Sequence, residues 1–290
     1  MANILVLGGT RFFGKHLVEQ LIEQKHDVTV ATRGISQATF EGNVTRVTVD
    51  RTNEREMKAL FAQQTFDIVY DNICYTPQQA KIVCDALQGA NTKVVFTSTM
   101  ATYAADGQMK KEEDFDPYHY SYQLNTEETL SYGEGKKQAE AFYTANATFP
   151  VTIVRFPIVM GTDDYTERLS YYVKHIMTGE PIELTNMEAQ MGFISSVEAG
   201  AFLGWIGFQS QEGIWNAVSH GTVTLRQLIA QIEKISQNKA TIVEGTNSPY
   251  SIPNSWYMDN EKAKRAGFSF SNLEDWLTDL ITYYVKRIGN

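Results

Sequence analysis

A chain of 290 residues can bury a large core and has room for one large domain or two unequal lobes. Its 43% hydrophobic and 20% charged residues are those of an ordinary globular protein, and no apolar run approaches the roughly 20 residues needed to cross a bilayer. The formal net charge of -9 excludes a general attraction to nucleic acid or anionic lipid and leaves a local basic patch as the route to such partners.

Ile4 to Leu7 is an apolar run closed by Gly8 and Gly9, after which Phe13, Leu17, Leu21 and Ile22 recur at helical spacing. This predicts a buried strand, a tight turn and a helix. Gly8 and Gly9 accept backbone angles that cost other residues energy, and Gly14 lets the helix approach the sheet. The unpaired amides and dipole of the helix start favour a pyrophosphate, so Gly8, Gly9, Thr10, Arg11, Phe12, Phe13 and Gly14 form the expected dinucleotide cradle. Arg11 stands where G-x-x-G-x-x-G has its middle glycine, so its side chain must point away from the phosphates or curl over them. Glycines punctuate any strand–helix junction, and the turn gains weight only from the strands that follow. The opening MANILVLGG has no basic lead before its apolar segment, which predicts a cytoplasmic protein without a secretory signal.

Asp27 to Ala31 is the second predicted strand, with Thr32, Arg33 and Gly34 at its exit. A unit that prefers NAD carries an acid about twenty residues beyond the glycine turn, to grip the ribose hydroxyls. Here that place holds Arg33, and a guanidinium suits a ribose phosphate better, so NADP is expected over NAD. Arg11 can reach the same phosphate; alternatively, Arg33 is a solvated loop residue. Val44 to Val49 forms a third strand that delivers Asp50, which either accepts a bond from the adenine amino group or caps the helix that follows. Phe66 to Tyr70 is the fourth strand, Pro77 opens a helix, and Val94 to Phe96 leads the fifth strand into Thr97, Ser98 and Thr99.

Between Tyr103 and Ser131 the period is lost, which predicts a long loop that lines or covers a substrate, or else a charged exterior excursion. Tyr132 to Asn146 returns to helical spacing and Val151 to Phe156 is a sixth strand. The expected fold is therefore α/β, a doubly wound parallel sheet of six or seven strands over residues 1–157. Beyond it, shorter mixed elements predict a smaller C-terminal substrate lobe over 158–290, with about 190–218 returning to the large domain. Those elements are a helix beginning near Tyr165, a strand at Phe193, a helix with Glu198 at its cap, a strand near Gly213, and helices over Leu225 to Ile235 and Leu273 to Val285.

Cys74 and Cys84 read as packed thiols, and the five histidines form no ligand motif, so no metal is expected. Tyr132 and Lys136 lie four apart on one helix and share a face. A tyrosine of pKa near 10 is a poor base at neutral pH, whereas an adjacent ammonium stabilises its phenolate. The lysine can also hold a nicotinamide ribose. In a chain with 15 tyrosines such a pair arises easily by chance, and its value comes from its position between strands five and six of a dinucleotide-type sheet.

In combination, GGTRFFG at 8–14, Asp50, FTSTMATY at 96–103, YGEGK at 132–136, RFPIVMG at 155–161 and FISSVEAG at 193–200 resemble the NAD-dependent epimerase/dehydratase family of extended short-chain dehydrogenases/reductases. The resemblance covers essentially the whole chain. It implies Tyr132 as catalytic acid/base, Lys136 as its partner and Thr99, with Ser98 beside it, as the hydroxyl that polarises substrate. It also implies Gly8, Gly9 and Gly14 around the cofactor phosphates and Asp50 at the adenine. GGTRF, DNICYTPQQ at 71–79 and DDYTERLSYY at 163–172 are further similar to the subgroup of chloroplast stem-loop-binding proteins, some of which are linked to RNA. Met100-Ala101 stands where sugar-nucleotide 4,6-dehydratases carry an Asp-Glu pair, which speaks against that elimination. The expectation is an NAD(P)-dependent epimerase or reductase acting on a small molecule, with a nucleotide sugar as one candidate and Arg168 available for its diphosphate. The alternative is a regulatory or RNA-associated protein that retains the fold.

Overall fold

The computed structural model describes residues 1–36, 38–124 and 129–289. The chain divides into two compact units, one of Met1–Tyr103, Glu112–Phe156 and Val197–Ala217, the other of Ala104–Lys111, Pro157–Ser196 and Val218–Asn290.

In the first unit the predicted alternation folds as β1 (Asn3–Leu7), α1 (Phe12–Glu23), β2 (Asp27–Thr32), β3 (Thr45–Thr48), α2 (Glu54–Gln63), β4 (Ile68–Asp71), α3 (Pro77–Ala86), β5 (Lys93–Thr99), α4 (Tyr132–Asn146) and β6 (Val151–Phe156). Strand β7 (Gly213–Asn216) completes a seven-stranded sheet in the order β7-β6-β5-β4-β1-β2-β3, and every adjacent pair is parallel. Parallel strands buried on both faces need continuous apolar runs, and Ile4, Leu5, Val6 and Leu7 of β1 are all fully buried. Each such side chain contributes about 1.5–3 kcal/mol of burial. The order reverses between β1 and β4, so the carboxyl ends of these two strands flank the crevice where ligands of open α/β sheets bind.

Helix boundaries follow local chemistry. Pro77 occupies the first turn of α3 behind its cap Thr76, and Asn53 caps α2 by accepting from the amides of Arg55 and Glu56. Helix α4 begins behind Ser131, whose hydroxyl accepts from the Glu134 amide at 3.3 Å. The expected loop between Tyr103 and Ser131 includes 125–128, which lie outside the described residues. Short 3-10 turns occupy Glu112–Asp114 and Pro117–His119.

The second unit carries α5 (Arg168–Thr178), and the chain then passes through α6 (Ser196–Gly207), most of which belongs to the first unit. It continues with α7 (Leu225–Ser236), α8 (Glu261–Arg265) and α9 (Leu273–Gly289). Leu169, Val173, Leu228, Ile232, Leu277 and Ile281 bring α5, α7 and α9 into one apolar cluster. Thr224 and Gln227 form a capping box on α7. Helix α5 starts three residues later than Tyr165, because Asp164 binds Thr166 in a local turn and Glu167 is left-handed at φ 55°. Glu198 lies in the first turn of α6 rather than at its cap. Among the described residues no helix is long and apolar enough to cross a membrane.

Candidate active site

The glycine turn joins β1 to α1 at the point where the strand order reverses. Gly8 has φ +84°, and a Cβ there would lie 2.5 Å from Ile73 Cγ2. At Gly14 a Cβ would lie 2.3 Å from the Gly8 carbonyl oxygen, so the first turn of α1 is pressed directly onto the turn backbone. Gly9 does not use a positive φ, contrary to expectation; its Cβ would strike Val18 at 2.8 Å and Val6 at 2.9 Å, so packing alone demands glycine there. Phe12 carries the other left-handed conformation, at φ 54°, which costs a non-glycine residue about 1–2 kcal/mol. Such strained positions concentrate at ligand clamps. A helix start brought this close to a glycine turn can receive a dinucleotide pyrophosphate, and the residues present fit that group.

Arg11 does not fold back over the turn. Its Nε donates to Ser36 Oγ at 3.2 Å, so the guanidinium reaches the segment that follows β2, where Arg33 is exposed. Thr32 Oγ1 accepts from the Gly34 amide at 3.1 Å and shapes that exit. Asp50 accepts from the Thr52 amide at 2.9 Å and the Thr52 hydroxyl at 2.7 Å, which holds its carboxyl below its ordinary pKa, with Arg33 and Arg51 assisting. It shapes the turn after β3, and Asn53 rather than Asp50 caps α2.

The carboxyl end of β5 presents three hydroxyls with different partners. Thr97 donates to Asn72 Oδ1 at 2.8 Å and Ser98 donates to Glu140 Oε1. Thr99 Oγ1 accepts from the Ala101 amide at 3.1 Å and retains its own O–H as a donor. Tyr132, the first residue of α4, is 55% exposed, whereas Lys136 one turn later is 2% exposed. Lys136 Nζ donates to the Thr97 carbonyl at 2.7 Å and lies 4.9 Å from the ring centroids of both Tyr75 and Phe96. Burial pulls its pKa down to about 8 against the opposing pull of Cys74, Asp71 and Glu140.

The two glycines within YGEGK have a packing role that spacing alone did not reveal. A Cβ on Gly133 would lie 2.6 Å from the Ala101 carbonyl oxygen, and one on Gly135 would lie 2.3 Å from that of Tyr75. Glycine in a helix costs about 1 kcal/mol relative to alanine, and two in one turn signal a close backbone approach. Here they seat Tyr132 and Lys136 against the exits of β5 and β4.

Two buried charge networks lie behind these residues. Arg155 uses all five of its N–H donors: Nε to Glu140 Oε1 at 3.0 Å, Nη1 to Tyr103 Oη at 2.8 Å and the Glu112 carbonyl at 3.0 Å, Nη2 to the Phe115 carbonyl at 3.0 Å and Glu140 Oε2 at 2.5 Å. Arg51 Nη2 meets Asp71 Oδ2 at 2.5 Å, and Tyr143 donates to the same oxygen at 2.8 Å. Neither network was foreseen, although a charged residue inside an otherwise apolar strand, Arg155 in VTIVRF, is a signal of a buried ion pair.

The family model described as "NAD dependent epimerase/dehydratase family" matches residues 4–201. The chain is 25% identical over 221 residues to the chloroplast stem-loop binding protein of 41 kDa b from Arabidopsis thaliana, covering 71% of this chain and 55% of the relative. It is 30% identical over 142 residues to 2'-dehydrokanamycin reductase from Streptomyces kanamyceticus, covering 47% of this chain and 40% of the relative. The chain thus aligns with about half the length of these curated relatives. Its fold is similar to that of UDP-glucuronic acid 4-epimerase from Bacillus cereus in complex with UDP-glucuronic acid and NAD, with TM-score 0.77, 17% identity, and coverage of 98% of this chain and 99% of that one.

Proposed function

The chain belongs to the NAD dependent epimerase/dehydratase family, and from that premise we propose that it is an NADP-linked oxidoreductase or epimerase acting at a carbon that bears a hydroxyl or carbonyl oxygen. The observation that carries this reading is the pair on α4, a half-exposed Tyr132 one turn from a buried Lys136 ammonium, beside the hydroxyls that end β5. A bound nicotinamide dinucleotide would supply the hydride donor or acceptor. Gly8, Gly9, Thr10, Phe12, Phe13 and Gly14 would hold its phosphates and Asp50 its adenine. Arg11 and Arg33, with Thr32 shaping the turn, would receive a 2′-phosphate, and the bond from Arg11 to Ser36 supports that preference for NADP.

In the oxidation direction Tyr132, as phenolate, removes the substrate hydroxyl proton; in reduction it returns that proton. The Lys136 ammonium favours the phenolate and so lowers the cost of the first step. Thr99 donates to the oxygen on which charge develops, where a hydrogen bond is worth most. Ser98, committed to Glu140, is the lesser candidate for that role. An epimerase would release no reduced cofactor. A keto-sugar or nucleotide sugar is the favoured substrate class, supported by the reductase and the 4-epimerase to which the chain is similar. Dehydration is disfavoured by Met100-Ala101.

Titration calorimetry with NADP and NAD, and turnover over a panel of ketones and nucleotide sugars, test the proposal. Tyr132→Phe should bind NADP as the wild type does and lose turnover, and Lys136→Met should lose turnover and some affinity. Full activity in Tyr132→Phe would sink the mechanism. The similarity to a chloroplast stem-loop binding protein favours a second reading, a retained dinucleotide fold that binds structured RNA. Hairpin binding by both the wild type and Tyr132→Phe, without turnover on any substrate, would make it the better account.

A further inference from the structure

DNICYTPQQ, the segment after β4, contains an aromatic side chain that the proposed chemistry has not yet used. Tyr75 is 44% exposed, yet its backbone is fixed at both ends. Its amide donates to Gln79 Oε1 at 2.7 Å, and its carbonyl oxygen is the atom that forbids a side chain at Gly135. The ring lies over the start of α4. Its centroid lies 4.9 Å from Lys136 Nζ and 6.3 Å from the centroid of the Tyr132 ring, the two rings inclined at 49°. Phe96 lies at 4.9 Å from the same ammonium and is itself fully buried, so the tyrosine is the partly exposed member of an aromatic pair around Lys136.

We propose that Tyr75 is a positioning residue for the Tyr132–Lys136 pair: its ring screens the Lys136 ammonium from water while supporting its positive charge, and flanks the Tyr132 phenol. The proposal rests on the reading of that pair as the proton-handling group. A π face attracts a cation, whereas the same ring excludes the water that would otherwise solvate it. The two effects oppose each other, and burial is the larger influence on Lys136. The other groups that act on this ammonium are Cys74 and Asp71 after and at the end of β4, Arg51 after β3, and Glu140 one turn further along α4. Phe96 gives the ammonium a second aromatic face and the Thr97 carbonyl accepts its hydrogen bond, and of these neighbours Tyr75 is the ring that also borders solvent. Tyr75 thus sets how far an ammonium next to a phenol stays charged, and its effect falls on the alkaline limb of the pH–rate profile and on kcat rather than on KM.

The test is a 13C titration of the Lys136 side chain in protein labelled with [ε-13C]lysine and free of dinucleotide, the signal assigned by its loss in Lys136→Met. Wild type and Tyr75→Phe should titrate together, since phenylalanine keeps the π face. Tyr75→Ala should admit water and move the midpoint upward by about one pH unit or more. Tyr75→Leu, which excludes water without a π face, should move it below the wild type. Midpoints unchanged in both the alanine and leucine variants would overturn the proposal. Because no cofactor is present, that outcome is separable from failure of the NADP reading, which calorimetry on the wild type decides.

Discussion

Replacing Glu140 by glutamine removes one negative charge while keeping the side-chain shape, and the structure gives this change an unusual weight. Glu140 and Arg155 have no exposed side-chain surface and are joined through both carboxylate oxygens. The glutamine still accepts one bond from the guanidinium but leaves its charge buried without a counter-ion, which costs about 3–5 kcal/mol in comparable pairs. That is a large share of the roughly 5–15 kcal/mol that holds a typical domain folded. It also weakens the Ser98 bond that fastens β5 to α4. Glu54→Gln provides the control, since Lys58 and Glu54 are 51% and 50% exposed and water screens their charges whether or not the pair forms. Urea unfolding followed by tryptophan fluorescence in a background with Trp256 and Trp276 replaced by phenylalanine, which leaves Trp205 and Trp215 of the first unit, reads the difference. The double variant Glu140→Leu/Arg155→Met, which removes both charges, should recover much of the loss. Equal midpoints for Glu140→Gln and Glu54→Gln would refute the reasoning.

Gly14→Ala should lower both the melting temperature and dinucleotide affinity, because its methyl group would meet the Gly8 carbonyl oxygen at 2.3 Å; wild-type calorimetry in this variant would contradict the cradle. Arg11→Ala and Arg33→Ala should each weaken NADP and leave NAD binding unchanged, as read by parallel titrations. Lys136, pulled down to about 8 by burial against an ordinary value of 10.5, takes up fewer protons folded than unfolded between those limits. Its charged form therefore destabilises the fold below about pH 8, and the penalty, on the order of 3 kcal/mol, is relieved as pH rises from about 8 towards 10.5. The stability of wild type minus that of Lys136→Met should rise over this window, and a flat difference curve would count against it. Cys74 and Cys84, both pushed up to about 12 by burial, should resist a thiol reagent at pH 8 until urea unfolds the chain, and rapid native labelling would contradict their packing.

The inner strands of the sheet were legible because they bury both faces and so read as largely apolar runs, as in ILVL, FDIVY and VTIVRF, whereas the edge strand β3, TRVT, is mostly exposed. Helix α4 was legible to the residue from the return of helical spacing over Tyr132 to Asn146, and its Ser131 cap came only with the structure. The pattern could not say why Gly9 is a glycine: a positive φ and a crowded Cβ demand the same letter, and only packing against Val18 and Val6 separates them. It also hid the direction of Arg11, which depends on Ser36 in another loop. The buried networks were illegible for a related reason. Arg51 finds Asp71 and Tyr143, and Arg155 finds Glu112 and Phe115, through the fold rather than through any local period. Tyr75 escaped notice because its role follows from a carbonyl packed against Gly135, a contact between segments that only the folded chain brings together.

The central claim, that Tyr132 handles the proton of an NADP-linked hydride transfer, is tested most directly by the fate of a label. Wild type and Tyr132→Phe would each be given NADPH deuterated at C4, NADP as hydride acceptor, and a mixture of keto-sugars and nucleotide sugars, with products analysed by mass spectrometry. Transfer of deuterium, or interconversion of sugar epimers without net NADPH loss, is predicted for the wild type and not for Tyr132→Phe, despite equal NADPH binding by the two. Equal product formation by both proteins would contradict the account.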